Sequence, residues 1–441
     1  MCYSGLGGHT GVVFPLISAD STSNEWAIGF VGNAKLLPNF VDQCNFLKIQ
    51  YKDFLFHSGF PFFAWINLFF WFCKIRPEGI ICHNSSFLFP CKIYSLLFSA
   101  NIIVVEHTNN QLKRKKDWLF SFFSIVFANK VVLLTESYRS ELEKVFKRFN
   151  FKKKYHVVPN GVDIQKFPLI NFNSNHRHER ENFILGMAAR FTDIKRQDLL
   201  LKAIQRINNS HSSEINLKLS LAGNGPELNR IKSLAKKLEI TPMISFEGLI
   251  EEWELPDWYK NLDLYIHATE GETLSISILQ AMSVGLPILA SDVHGVSNLL
   301  YQDEKFGHCV PNNEIAFAKE ILCIHSNYQE SVNMGLKARA KVEQDLLLST
   351  EGQRKEKARI GGGTAFISDD FIDKFKKTGS GVKYGDYLQD KDDMDSVVDS
   401  DPGDGSTLNL KSLSDAYKDY TDEDDDANVD YFLKNYLANL D

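Results

Sequence analysis

Short apolar, β-branched runs alternate with longer helix-like stretches from the start of the chain to about residue 325, and few architectures accept that rhythm. One series of strand candidates covers 27–31, 79–83, 102–106 and 130–135. A second covers 183–188, 217–222, 244–246, 264–267 and 287–290. Several of these runs are apolar almost throughout, as strands must be when helices cover both faces of a parallel sheet. Between the two series, residues 171–181 are polar and aperiodic and read as an interdomain linker. The expected fold is therefore α/β, with two Rossmann-like doubly wound domains facing a cleft, at 1–165 and 182–345. An acidic, largely irregular tail is expected over 350–441.

Charge separates that tail from the rest. Residues 350–441 hold 12 Lys+Arg against 22 Asp+Glu, a net of −10, so the remainder of this −7 chain is close to neutral. Low apolar content and excess charge predict disorder there, with short helices over 366–377 and 430–440. A calcium loop starting at Asp399 is excluded, because Asp404 stands where the turn needs glycine and Leu410 where it needs glutamate. Asp393-Met394-Asp395 spells a D-x-D triplet, which chance alone supplies in an acidic tail. A near-neutral front portion offers no phosphate-backbone footprint, so no nucleic-acid partner is expected. The seven cysteines form no C-x-x-C pair, which points to reduced, mostly buried thiols in the cytosol. The opening residues are Gly-rich rather than basic and then apolar, so no secretory signal is expected. Only four residues precede the first glycine, implying either a short first strand or a start further upstream.

Two aromatic stretches bear on membrane contact. Residues 54–73 have the length of a bilayer span, yet they contain His57, Gly59, Pro61 and Asn67. A buried or surface-lying helix fits better. Residues 118–128 follow the cluster Lys113-Arg114-Lys115-Lys116. Two readings stay open for that pair: a peripheral seat on anionic lipid, or core aromatics beside solvated charges.

Three segments suit phosphate and sugar chemistry. Gly5-Leu6-Gly7-Gly8-His9-Thr10-Gly11 would bring backbone amides close to a phosphate, but Thr10 breaks the dinucleotide fingerprint and disfavours nicotinamide. Arg190 and Lys195, five apart on a loop leaving a strand, could steady a departing diphosphate, although two such cations alone are more often solvated. Within 268–291, a turn with Glu270 and Glu272 leads into an apolar helix ending near Gly285. Amides of Thr273, Leu274 and Ser275 would open that helix toward a phosphate. Glu272 could accept from sugar hydroxyls, and Gln280, eight residues on, from ribose.

Taken together, VPNGVDI (158–164), GNGP (223–226), EGETLSISILQAM (270–282) and EHTNN (106–110) occur in one order. They resemble the family 4 retaining glycosyltransferases of the GT-B fold over residues 1 to about 345. The resemblance implies that Gly7, Gly8 and Gly223 approach the donor, that His107 lies beside sugar and acceptor, and that Arg190 and Lys195 hold the diphosphate. It further implies that Glu272 contacts the transferred sugar and that Thr273, Leu274, Ser275 and Gln280 bind the nucleotide. The chain departs from the family at Gln280 and Asn298, where glutamates are usual, and at Thr273 and Arg196, where glycines are. His83 reads as structural. The implied activity is transfer from a nucleotide-sugar to a glycan or lipid-linked glycan, for bacterial surface polysaccharide or lipopolysaccharide, with no cofactor or obligatory metal. The implied seat is cytoplasmic, at the inner face of the membrane. A nucleotide-sugar hydrolase or epimerase, and a non-catalytic partner protein, are the alternatives on the same frame.

Overall fold

The computed structural model describes residues 1–345 apart from 5–9, 20–24, 57–60, 84, 171–180, 211–214, 252 and 302–303. Gly7 and Gly8, most of the expected linker, and the acidic tail with its D-x-D triplet lie outside the described residues.

The first domain opens with β1 (Cys2–Tyr3), α1 (Thr10–Ala19), β2 (Ala27–Gly32), α2 (Pro38–Phe46), β3 (Gln50–Leu55) and α3 (Phe62–Ile75). It continues with β4 (Gly79–Cys82), α4 (Leu88–Phe98), β5 (Asn101–Val105), α5 (Lys115–Phe127), β6 (Lys130–Leu133), α6 (Glu136–Val145) and β7 (Tyr155–Val157). All pairings are parallel: β1, β2 and β3 lie side by side, and so do β4 to β7. The His83 amide donates to the Met1 carbonyl at 3.0 Å, which ties the start of β1 to the end of β4. Strand direction of travel reverses between them. β3 was absent from the expected strands because it is an edge strand of sequence QYKDFL, mostly exposed, with no apolar run to betray it. The long aromatic stretch divides in two: Phe54 and Leu55 close β3, and α3 follows after Pro61.

The second domain comprises β8 (Phe183–Ala188), α7 (Gln197–Asn209), β9 (Leu217–Ala222), α8 (Leu228–Lys237), β10 (Ile244–Gly248), α9 (Leu255–Lys260) and β11 (Leu264–His267). Then come α10 (Ile276–Ser283), β12 (Ile288–Ser291), α11 (His294–Leu300), β13 (His308–Val310), α12 (Glu314–Ser326) and α13 (Tyr328–Asp345). Its six-stranded parallel sheet runs β10-β9-β8-β11-β12-β13, the doubly wound order in which the first and fourth strands sit at the centre. Alternating strands and helices thus fold as expected, with helices on both faces of each sheet.

Each domain has its own apolar core, and a further cluster joins them. Val105, Leu134, Val162 and Phe167 pack with Ile278, Met282 and Leu286 across the domain boundary. Arg339 of α13 donates to the Phe167 carbonyl at 2.9 Å and to the Ser283 carbonyl, pinning the connecting segment onto α10. Fully burying each such side chain contributes roughly 1.5–3 kcal/mol, so the domains are held by core-like packing as well as by polar contacts.

Candidate active site

In an open parallel sheet, ligands bind beyond the carboxyl ends of the strands where the winding reverses. In the second domain that point lies between β8 and β11. The loop after β8 and the loop after β11 are stitched together there: Arg196 N donates to the Ala268 carbonyl (3.1 Å) and Glu270 N to the Ile194 carbonyl (2.9 Å). A β-bridge joins Lys195 and Thr269. This stitching brings two residues 77 positions apart into contact, and Lys195 Nζ pairs with the Glu272 carboxylate.

A third partner was not foreseen. His267 Nε2 lies 2.9 Å from the same Glu272 oxygen and 3.4 Å from Lys195 Nζ, while His267 Nδ1 lies 3.1 Å from the Tyr265 hydroxyl. His267 is wholly buried, and burial, reinforced by the Lys195 charge, holds its pKa well below the ordinary histidine value. The imidazole is therefore neutral. With Nε2–H donating to Glu272, Nδ1 accepts from the Tyr265 hydroxyl at 3.1 Å, shorter than that hydroxyl's other contact, the Ala188 carbonyl at 3.3 Å. Burial also pushes the Lys195 ammonium down to about 7, a pull that the touching carboxylate opposes. The sequence signal for His267 was a lone polar residue closing the otherwise apolar strand LYIH, at the carboxyl end where ligands gather.

The approach to α10 differs from expectation. Thr273 and Leu274 form a bend, Ser275 is extended, and after this lead-in the helix begins at Ile276. Ser275 is the N-cap residue, yet its side chain caps no amide; its Oγ lies 3.1 Å from Ser277 Oγ. The first-turn amides of α10 thus lack a side-chain cap and present donors and positive dipole toward the crevice. The first domain holds the lead-in from the other side. Asn109 donates to the Glu272 carbonyl, Asn160 to the Leu274 carbonyl at 3.3 Å, and Thr273 Oγ1 to the His107 carbonyl at 2.8 Å. Gln280 lies half-buried, accepting from the Tyr259 hydroxyl at 3.2 Å.

Two glycines have steric reasons. A Cβ on Gly223, whose φ is +130°, would come 2.1 Å from the Ala189 carbonyl oxygen, so this glycine lets the β9 and β8 loops lie against each other. A Cβ on Gly295 would come 1.9 Å from the Glu272 carbonyl oxygen. The first turn of α11 therefore supports the Glu272 loop by direct backbone contact.

On the first-domain side, His107 follows β5 and stacks on His83, which follows β4, with ring centroids 5.1 Å apart and Nδ1 of His83 2.8 Å from Nε2 of His107. His83, set aside as structural, is thus the immediate neighbour of His107. Behind the pair sits a buried polar network. Lys113 Nζ lies 3.0 Å from Glu106, 2.6 Å from Ser121 Oγ and 2.8 Å from the Tyr138 hydroxyl, and that hydroxyl reaches the Thr108 carbonyl at 2.8 Å. Lys113 must therefore be removed from the basic surface cluster: its side chain is 1 % exposed, and it anchors the 106–113 loop from within. Phe122 and Ile125 of the neighbouring aromatic run are core residues.

Arg190 is exposed, and its guanidinium lies 5.9 Å from the Tyr3 ring centroid, beside the strand that leads into the glycine loop. Arg196 pairs with Asp198 at 3.0 Å and with Glu270 on the outer side of the same loops. Among the described residues, no three of His, Cys, Asp and Glu converge as metal ligands.

Residues 170–341 match the family model described as glycosyl transferases group 1. The chain is 28% identical over 168 residues to an alpha-monoglucosyldiacylglycerol synthase of Streptococcus pneumoniae, covering 36% of this chain and 37% of that protein. It is 26% identical over 159 residues to an N-acetyl-alpha-D-glucosaminyl L-malate synthase of Bacillus anthracis, covering 36% and 40%. These matches span well under half the length of either relative. The crystal structure of Anabaena HepE in complex with UDP and glucose superposes with a TM-score of 0.67 at 16% identity, over 81% of this chain and 97% of that one. The fold is GT-B.

Proposed function

We propose that this chain, whose residues 170–341 match the glycosyl transferases group 1 family on a GT-B frame, moves a sugar from a nucleotide-sugar to a glycan or lipid-linked glycan. The transfer retains anomeric configuration, needs no obligatory metal, and serves bacterial surface polysaccharide or lipopolysaccharide assembly at the cytoplasmic face of the membrane. The observation that carries the reading is the Lys195–Glu272–His267 contact at the point where the second sheet reverses, beneath a helix N-terminus that no side chain caps.

In this mechanism the diphosphate lies against the first turn of α10 and Lys195, with Arg190 at the side that faces Tyr3 of β1. Negative charge grows on the leaving oxygen as its bond to the anomeric carbon breaks, and fixed cations and amides stabilise that charge without reorganising. Glu272, oriented by neutral His267, accepts from a hydroxyl of the sugar. The acceptor oxygen bonds to the anomeric carbon on the face the diphosphate leaves, and its proton passes to the departing phosphate oxygen. His107, backed by His83, lies beside that exchange. Gly7, Gly8, Gly223 and Gln280 complete the donor site. Closure of the domains excludes water and suppresses hydrolysis.

Incubation with UDP-, GDP- and ADP-sugars, followed by mass detection, tests the reading. One donor is expected to be consumed with release of its nucleoside diphosphate, and to yield a glycoside when acceptor is present. Consumption of none, by protein shown to be folded, overturns it.

The depressed Lys195 supplies a pH test. Only the ammonium form attracts a diphosphate, and a bound anion raises its pKa, so binding takes up a proton wherever the empty site has lost one. Nucleoside diphosphate affinity is expected to fall across about pH 7 to 9, approaching tenfold per unit, and to fall again below about pH 6, where the terminal phosphate itself takes up a proton. Calorimetry in buffers of different ionisation enthalpy reads the proton uptake; affinity that rises with pH removes Lys195 from the site.

A further inference from the structure

Three neighbouring helices of the first domain, α3, α4 and α5, turn apolar side chains outward where a surface helix ordinarily carries polar ones. On α3 the outward stripe is Phe63, Ile66 and Phe70, at helical spacing, with Phe63 80% and Phe70 65% exposed. Its opposite stripe of Ala64, Leu68 and Trp71 is core, so the outer residues are surplus to folding. On α4, Phe89 packs its ring 5.2 Å from Trp65 of α3, and Leu96 and Leu97 are each 65% exposed. Phe120 continues the patch on α5, which packs against α4. An apolar patch of this extent on a domain surface marks an interaction site.

The charges select the partner. Lys74, Lys92, Lys115 and Lys116 lie on these helices and Arg76 and Arg114 flank them, whereas the only carboxylate in the three is Asp117, already engaged with the Arg114 amide at 3.0 Å. Aromatic and aliphatic side chains beside cations with long aliphatic stems match a lipid interface, where rings enter the headgroup boundary and ammonium groups meet phosphates. α3 spans 14 residues, about 21 Å, against a hydrocarbon core of about 30 Å, so it lies on a bilayer rather than through it. No helix among the described residues is long and apolar enough to cross one. Each of these helices follows a parallel strand, so its N-terminus lies at the sheet edge that carries His83 and His107. Phe63, Phe89, Lys115 and Lys116 therefore form the end of the patch nearest the cleft.

We propose that the outward face of α3, α4 and α5 is a docking surface for anionic lipid, which holds the mouth of the cleft against the bilayer. The seat rests on the transfer reading only for what it delivers, a lipid-linked acceptor.

The test is co-sedimentation of the full chain with phosphatidylglycerol-rich vesicles and with pure phosphatidylcholine vesicles. Binding is expected for the first, and raising salt to about 0.5 M should weaken it at least tenfold. The pair Phe63→Ser and Phe70→Ser, and separately the pair Lys115→Glu and Lys116→Glu, should each lower bound protein at least about tenfold. Donor hydrolysis measured without vesicles should stay unchanged in both. The charge-reversed pair lies on exposed side chains and keeps the test valid if the aromatic pair misfolds. No binding to the anionic vesicles, or equal binding by the variants, overturns the proposal, whatever the donor assay gives. A dimer that the aromatic pair converts to monomer in solution also overturns it, because a second copy then owns the face.

Discussion

Lys195→Ala is expected to lower turnover by about 10²- to 10³-fold while leaving the fold intact, the range found when one preorganised donor is removed from a site of developing negative charge. The structural cost should be small. An ammonium whose pKa burial lowers to about 7 adds little to stability near neutral pH, and Glu272, 17% exposed, keeps its 2.9 Å contact with His267 after the cation is gone. Rate and stability should therefore separate: turnover with donor and acceptor collapses, while circular dichroism and thermal melting stay close to those of the parent. Turnover within a few-fold of the parent, in folded protein, would show that the leaving group is stabilised elsewhere.

Gly295→Ala is expected to disable the site through the backbone. The added methyl would meet the Glu272 carbonyl oxygen at 1.9 Å, its carbon at 2.6 Å and the Thr273 oxygen at 2.8 Å, none of which can rotate away. Either α11 recedes or the Glu272 loop does, by about 1 Å, and a misplacement of that size near reacting atoms costs about 10²-fold. Overpacking of this kind also costs roughly 1–3 kcal/mol, so melting temperature should fall together with turnover. Activity within twofold of the parent would mean that the loop tolerates displacement and does not set the geometry.

The fold was legible because parallel strands covered on both faces have little choice of residue: 183–188 is apolar throughout and 264–267 is apolar up to its closing histidine, both at their observed bounds, while 217–222 alternates Leu with Lys218 and Ser220 and shows the strand period directly. Edge strands escape that rule, and β3 and the three-residue β7 and β13 were accordingly not anticipated. Lys195 and Glu272 stood out because their loops join recognisable strands to recognisable helices. His267 did not, since a histidine inside a strand looks like a satisfied core residue until the third dimension sets a carboxylate beside it. Lys113 failed in the opposite direction. In a run of four cations nothing local distinguishes the buried one, and only the carboxylate of Glu106, seven residues earlier, together with Ser121 and Tyr138, draws it inside. Gly295 carried no signal beyond being glycine, because its reason is a carbonyl 23 positions away.

The residues just ahead of α10 are shaped by hands from the opposite half. Two amide side chains grip the carbonyls of Glu272 and Leu274, and one threonine hydroxyl grips the carbonyl of His107 in return. Parting the halves unhooks all three, hands their oxygens to solvent, and loosens the segment whose firmness gives Glu272 its aim. Emptying and refilling of the crevice would thereby be coupled to its rigidity: a segment gripped from both halves when shut would be gripped from one when ajar.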